Sequence, residues 1–222
     1  MRIEVEGGGI ENAGYVPPLG PLRILHRDDD LLVVAKPEGL LAVPGKGPDL
    51  GDSLETRLRG MDARVLLVHR LDRDTSGVMV FARRASAQRH LGLQFEKRRI
   101  DKRYVARLRG RLEAEEGVVD QPLCADWPNR PRQMISAEGR RAVTGWRVLC
   151  RDTDETRVAL FPQTGRSHQL RVHMAWLGHP IVGDPLYGRD GGRSRMMLHA
   201  EEIGLRHPTG GAPTTFGVTC PF

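Results

Sequence analysis

The chain alternates short apolar runs with polar connectors rich in Gly and Pro, and few of the runs are long enough to make a helix. "LLVVAKP" (31–37), "LLVH" (66–69) and "GVMVFAR" (77–83) are each of strand length, and their near-continuous apolar character predicts strands buried on both faces. "RYVARLRG" (103–110) returns to strand-like alternation, "TRVALFP" (156–162) predicts another strand, and the tail "TTFGVTCPF" (214–222) predicts the last. Two segments fit helices. Ser86 is placed to cap a helix over 87–96, in which Leu91 and Phe95 share a face, and "SHQLRVHMAWLG" (167–178) predicts a helix opened by Ser167 and closed by Gly178. "LCADWPNRPRQ" (123–133) carries too much Pro and Arg for a regular element, and residues 1–21, with Gly7-Gly8-Gly9, Pro17-Pro18 and Pro21, predict a flexible lead into a single domain over 22–222. Strands outnumber helices without regular strand–helix alternation, so the expected fold is α+β, built on a mixed, largely antiparallel sheet with flanking helices and loops.

Composition narrows the setting. A chain of 222 residues with 39% hydrophobic side chains can build one sizeable core. No apolar stretch approaches the roughly 18 residues of a membrane span, and "MRIEVEGGG" has charges where a signal peptide would be apolar, so a cytosolic protein that meets no membrane is expected. Cys124, Cys150 and Cys220 are odd in number and widely spaced, as free thiols would be. The net charge of +6 understates a local concentration: residues 83–111 hold eleven Lys or Arg against Glu96 and Asp101, a net +9 in that window alone. Such a block matches the footprint of a protein that meets a phosphate backbone; it is equally the solvated face of a chain that uses Arg throughout.

Two loops carry candidate chemistry. "HRLDRDTSG" (69–77) sits between two predicted strands and packs Arg70, Asp72, Arg73 and Asp74 into five positions. An Asp there ordinarily serves as a turn residue bonding its own backbone; the surrounding guanidinium groups also suit a carboxylate kept ionised for nucleophilic or electrostatic work. "FPQTGRSHQLRVH" (161–173) presents Arg166 on a tight turn at the start of the second helix, a place suited to phosphate or to a carboxylate from elsewhere in the chain. His168 and His173 lie five apart, roughly 140° round a helix, which does not suit a zinc pair, and "HRLDRDTSG" lacks the spacing of a kinase catalytic loop.

Taken together, "LLVVAKPEGLLAVPG", "HRLDRDTSG", "PQTGRSHQLRVHMAWLGHPIVGDPLYG" and "MLHA" resemble the motifs of the RluA-type RNA pseudouridine synthases, in the same order, from about Leu31 to the C-terminus. "CADWPNRPRQ" is most similar to the dual-specificity branch, which acts on large-subunit rRNA and tRNA; the charged pair Arg73-Asp74 is wording shared with the larger relatives. Those relatives carry an N-terminal S4 domain, and the roughly 25 residues ahead of the first predicted strand leave no room for one, so RNA binding is expected of the catalytic domain itself.

The resemblance implies an isomerase that breaks the C1′–N1 bond of a uridine, turns the base and rejoins it through C5, on stem-loops of 23S rRNA, the tRNA anticodon stem-loop, or both. It implies no metal and no organic cofactor, and a monomer suffices to approach a stem-loop. By motif position Asp72 is the catalytic carboxylate, which attacks C1′, stabilises an oxocarbenium-like centre or takes a sugar proton. Arg166 is assigned as its basic partner and Tyr104 as the active-site tyrosine, whose ring stacks on the uracil and whose hydroxyl assists proton removal from C5. Leu198 floors the pocket, Arg70 fills the space left by the flipped base, and His69 beside it is grouped with substrate binding. Arg98, Arg99, Lys102 and Arg103, with Arg83, Arg84 and Lys97, are candidates for phosphate contact, and Asp74 serves the turn alone. Two other readings compete: an RNA-binding or ribosome-assembly module that has kept this fold without catalysis, and a carboxylate glycosidase acting on small nucleosides, which leaves the basic block without a purpose.

Overall fold

The computed structural model describes residues 14–188 and 195–222. In chain order these form β1 (Arg23–Arg27), β2 (Leu31–Lys36), α1 (Leu54–Met61), β3 (Leu66–Leu67), β4 (Ser76–Ala82), α2 (Ala85–Glu96), β5 (Asp101–Arg109), β6 (Glu116–Asp120), β7 (Leu123–Ala125), β8 (Gln133–Ile135), β9 (Val143–Arg151), β10 (Glu155–Pro162), α3 (Gln169–Trp176), β11 (Leu198–Arg206) and β12 (Pro213–Gly217). One large sheet runs in the order β1-β2-β4-β11-β5-β10-β9-β6, with β12 added on β11 and β3 on β4. Among the pairs it records, only β4 with β11 is parallel. The expected α+β architecture is therefore the observed one.

Strands β2 and β4 lie at the centre of the packing, and their apolar runs follow from that. Successive side chains of a strand point to opposite faces. Leu32, Val34, Met79 and Phe81 join one core, against α1 and the loop that carries Asp72, while Leu31, Val33, Val78, Val80 and Ala82 join another, under α2. A third core, under α3, unites Ala106, Leu108, Val158, Leu160 and Met174. Tyr104 packs against both the first and the third, which places its ring at the seam between them.

Several local expectations change. Helix α2 begins at Ala85, with Arg84 rather than Ser86 at the cap position and no side-chain cap. Its start is set instead by the neighbouring turn: Arg84 pairs with Asp30 at 2.7 Å and Arg83 with Asp62 at 2.8 Å. Helix α3 opens two residues after Ser167, because His168 takes the left-handed conformation (φ +51°). Its other end matches expectation: Gly178 (φ +85°) and His179 donate back to Ala175 and Met174, a Schellman ending. The stretch 123–133 is not wholly irregular. Leu123–Ala125 pairs with Gln133–Ile135 as a small hairpin, whose connection stacks Arg130 on Trp127 at 4.2 Å. Of the predicted flexible lead, residues 1–13 lie outside the described residues, and the rest is tied down. Tyr15 Oη donates to Asp52 O and accepts from Leu41 N, both at 3.0 Å, and Pro18 O accepts from Arg57.

The parallel contact of β4 with β11 brings backbone against backbone at Gly77, opposite Ala200. Gly77 has φ +123°, and a Cβ there would fall 2.1 Å from the Ala200 carbonyl oxygen. Gly77→Ala is therefore expected to destabilise the protein by about 3 kcal/mol or more, through strain and displacement of β11 together, as read from urea unfolding midpoints.

Candidate active site

The segment between β3 and β4 turns at Asp72–Thr75, where Thr75 N–H donates to Asp72 O at 3.2 Å, so the turn explanation of this loop is correct for its geometry. Arg73 and Asp74 pair with each other at 2.8 Å on its outer side. Beneath it lies a residue that sequence reasoning passed over. Lys36, at the end of β2, is fully buried and donates from Nζ to Leu40 O at 2.6 Å, Arg73 O at 2.7 Å and Pro37 O at 2.9 Å. Burial pulls its pKa down to about 7, against the opposing pull of Asp74, Asp72 and Glu38. Three carbonyls for three N–H groups hold the backbone next to Asp72 in one position.

The Asp72 carboxylate faces a cleft of about 200 Å³, closed on the far side by the turn 162–171 and floored by Tyr104 and Leu198. Its partner is Arg171, from the first turn of α3. Arg171 Nη1 donates to Asp72 Oδ2 at 3.2 Å, while Nε and Nη2 grip Asp184 at 2.7 and 2.8 Å. The Asp184 carboxylate is fully buried and also accepts from Leu186 N and Tyr187 N. Burial opposes the charge on Arg171, yet the bonds to Asp184 and the charge of Asp72 outweigh it and keep the guanidinium firmly protonated. Burial, and secondarily the charge of Asp72, pushes the Tyr104 phenol well above its ordinary value. Lys102, two residues along β5 and so on the same face, donates to Thr164 O at 3.3 Å, its pKa pulled down to about 8 by burial. A lone carboxylate, an aromatic floor and cationic walls suit an anionic, base-bearing substrate.

The profile of the family described as RNA pseudouridylate synthase matches residues 30–176, which holds the Asp72 loop, Tyr104 and Arg171. The chain belongs to this family. It is 46% identical over 204 residues to the dual-specificity RNA pseudouridine synthase RluA of Yersinia pestis, covering 90% of this chain and 99% of that one. To the protein of the same name in Escherichia coli K12 it is 47% identical over 220 residues, covering 96% and 100%. The solved human RNA pseudouridylate synthase domain containing 1 superimposes with a TM-score of 0.77 at 31% identity, over 93% of this chain and 87% of that one.

Within this pseudouridine synthase, Asp72, Tyr104, Leu198, Arg70, Lys102 and Arg166 all line the cleft. The pairing of Arg166 with Asp72 is corrected: Arg166 lies at the rim, where Nε donates to Arg141 O at 3.1 Å, and burial with the nearby charges of Arg140 and Arg98 lowers its pKa. Arg171 takes the inward place, because the left-handed turn at His168 directs the first turn of α3 at the loop. Arg103 is corrected as well, since strand alternation sends it to the opposite face of β5, where it pairs with Glu201. Arg99 lines a separate groove beside His90 and Arg206. The basic block is thus partly neutralised within the fold, with Arg83, Arg84, Arg103 and Arg107 on Asp62, Asp30, Glu201 and Asp152. Among the described residues no three His, Cys, Asp or Glu side chains converge as a metal site requires, and no helix is long and apolar enough to cross a membrane.

His69 does not reach the cleft either. Its Nε2 accepts from Val80 N at 3.0 Å and its ring stacks on Phe95 at 5.0 Å, so it fastens the loop to β4 and α2. Burial, reinforced by the charge of Lys102, pulls its pKa down to about 4. The unfolded chain takes up this proton near pH 6.5 and the folded one only near pH 4, so the stability His69 confers is complete above 6.5 and lost as pH falls toward 4. The expected loss over that window is up to about 3 kcal/mol. His69→Gln should flatten that part of a stability-against-pH curve measured by urea unfolding, and an unchanged slope would contradict the assignment.

Proposed function

We propose that this enzyme isomerises uridine to pseudouridine in stem-loops of 23S rRNA and tRNA, with Asp72 as the carboxylate that acts at C1′. The observation that carries the reading is the Asp72 carboxylate, held by Arg171 at 3.2 Å and facing Tyr104 across the cleft. Breaking the C1′–N1 bond leaves positive charge on the sugar, and an ionised carboxylate beside C1′ stabilises that charge or captures it as an ester. The uracil leaves with the bonding pair on N1, turns and bonds through C5; C5 then gives up its proton and N1 takes one up, so the isomerisation needs no co-reactant.

Tyr104 supplies a flat apolar surface for the turning base. Its raised pKa keeps the phenol protonated, so it serves as a stacking ring and a neutral hydroxyl rather than as a phenolate base. Leu198 closes the floor under the base. The target must leave its helical stack, at a cost of a few kcal/mol. Arg70, exposed at the mouth of the cleft, takes the vacated place, where a planar guanidinium stacks on neighbouring bases. Arg98, Arg166 and Lys102 meet the backbone phosphates around the mouth. The pairing of rRNA with tRNA rests on the likeness to the dual-specificity relatives over at least 90% of the chain. A single domain over 22–222, acting as a monomer in the cytosol, is sufficient for this chemistry.

Asp72→Asn keeps the shape of the loop and removes the charge. It should abolish pseudouridine formation on a stem-loop transcript while RNA affinity stays within about threefold; full turnover by this variant would overturn the reading. Pseudouridine mapping of total RNA from a deletion strain complemented with wild type or Asp72→Asn identifies the substrates, since only the wild type should restore them, in both rRNA and tRNA.

A further inference from the structure

Of the ionisable side chains that line the cleft, one has no part in the proposed function. His168 opens α3 in the left-handed conformation, with its side chain only 12% exposed. Its hydrogen bonds decide which nitrogen carries the proton. The backbone N–H of Gln133, on β8, donates to Tyr187 Oη at 2.7 Å, and Tyr187 Oη lies 2.9 Å from His168 Nδ1. Because the Gln133 amide can only donate, the phenol hydrogen finds an acceptor among the described residues only in Nδ1, which leaves the ring's own hydrogen on Nε2, facing the cleft. Burial lowers the His168 pKa despite the opposing charge of Asp72, so the ring is neutral and its one proton sits on Nε2.

Nε2 has no hydrogen-bond partner among the described residues, and Asp72 Oδ2 lies 3.9 Å from it. That is too long for a direct hydrogen bond. One oxygen can span it: with bonds of about 2.9 Å to the nitrogen and about 2.7 Å to the carboxylate, the angle at that oxygen is roughly 90°. The bridging oxygen must accept from Nε2 and donate to Oδ2. A carbonyl oxygen or the ring oxygen O4′ can only accept, and a phosphate would be repelled by the carboxylate. In an internal nucleotide of RNA, where the 3′ and 5′ oxygens are esterified, the sugar has one group that does both.

We propose that His168 and Asp72 together seat the ribose 2′-hydroxyl of the target uridine, with His168 Nε2 donating to it and Asp72 accepting from it. This rests on the reading that Asp72 works at C1′, whose neighbouring carbon carries the 2′-oxygen. His168 is on this account a substrate-binding residue by which the enzyme distinguishes a ribonucleotide from a deoxyribonucleotide at the reacting position.

The test compares single-turnover rates on a stem-loop RNA with uridine, or 2′-deoxyuridine, at the target position alone. The wild type should be slower on the deoxy substrate by on the order of ten- to a hundredfold, the effect of losing hydrogen bonds to a charged group. His168→Asn tolerates the left-handed backbone but is too short to reach the bridging oxygen. It should slow the ribo substrate about tenfold and shrink the ribo-to-deoxy ratio at least fivefold. Tyr187→Phe takes no atom from the bridge and frees the proton of His168 to move to Nδ1, so it should shrink the ratio as well. A general loss of fold or of loop order would slow both substrates alike and leave the ratio intact. A wild type indifferent to the 2′-hydroxyl, or variants that keep the wild-type ratio, would overturn the proposal. If Asp72→Asn is inactive while the ratio is insensitive to His168 and Tyr187, only the seat of the hydroxyl is wrong; turnover by Asp72→Asn would remove the reading beneath it.

Discussion

The arrangement of the site depends on one buried cation. Arg171, with a side chain 4% exposed, is held between the fully buried Asp184 and the cleft-facing Asp72. Placing a guanidinium there costs several kcal/mol of lost hydration, which two carboxylates and a fork of short hydrogen bonds offset. Once made, the bridge is costly to break, since removing one member strands a buried charge, typically at about 3–5 kcal/mol. It fastens three segments far apart in sequence: the Asp72 loop, the first turn of α3, and the turn after Ile181.

The sheet delivers these segments to one place. The close backbone contact of β4 with β11 sets Leu198 and Tyr104 beside the end of the strand that follows the Asp72 loop. Lys36 anchors the loop from below, and His69 fastens it at its start. The carboxylate is therefore positioned from three sides before RNA arrives, as the proposed stabilisation of a developing sugar cation requires. Burial keeps the Tyr104 phenol protonated, and the charge of Asp72 reinforces that neutral state at the cleft floor.

How much of this could be read from the chain follows from where each residue's partners lie. Strands β2 and β4 are legible because both faces are buried, so their runs are continuously apolar. Strand β6 and helix α1 escape notice because each buries few residues, Val119 in one and Leu54 with Leu58 in the other, beneath charged neighbours. Asp72 and Tyr104 stand at motif positions and were readable as such. The choice between Arg166 and Arg171 was not, since both belong to one motif and only the left-handed backbone at His168 decides which guanidinium turns inward. Lys36 reads as an ordinary strand end until the loop closes over it. The charge of the basic block is visible in sequence, but its neutralisation is not: the acids that hold Arg84, Arg103 and Arg107 lie tens of residues away.

The central claim is that Arg171 acts through the geometry of its fork as well as through its charge. Arg171→Lys separates the two, because an ammonium keeps the charge and cannot bond Asp184 twice while reaching Asp72. The most direct measurement is the single-turnover rate of this variant on a stem-loop substrate, alongside its RNA affinity. Arg171→Lys should react at least about tenfold more slowly, with affinity within about threefold of wild type. A wild-type rate would show that the bridge does not position the carboxylate and would contradict the account.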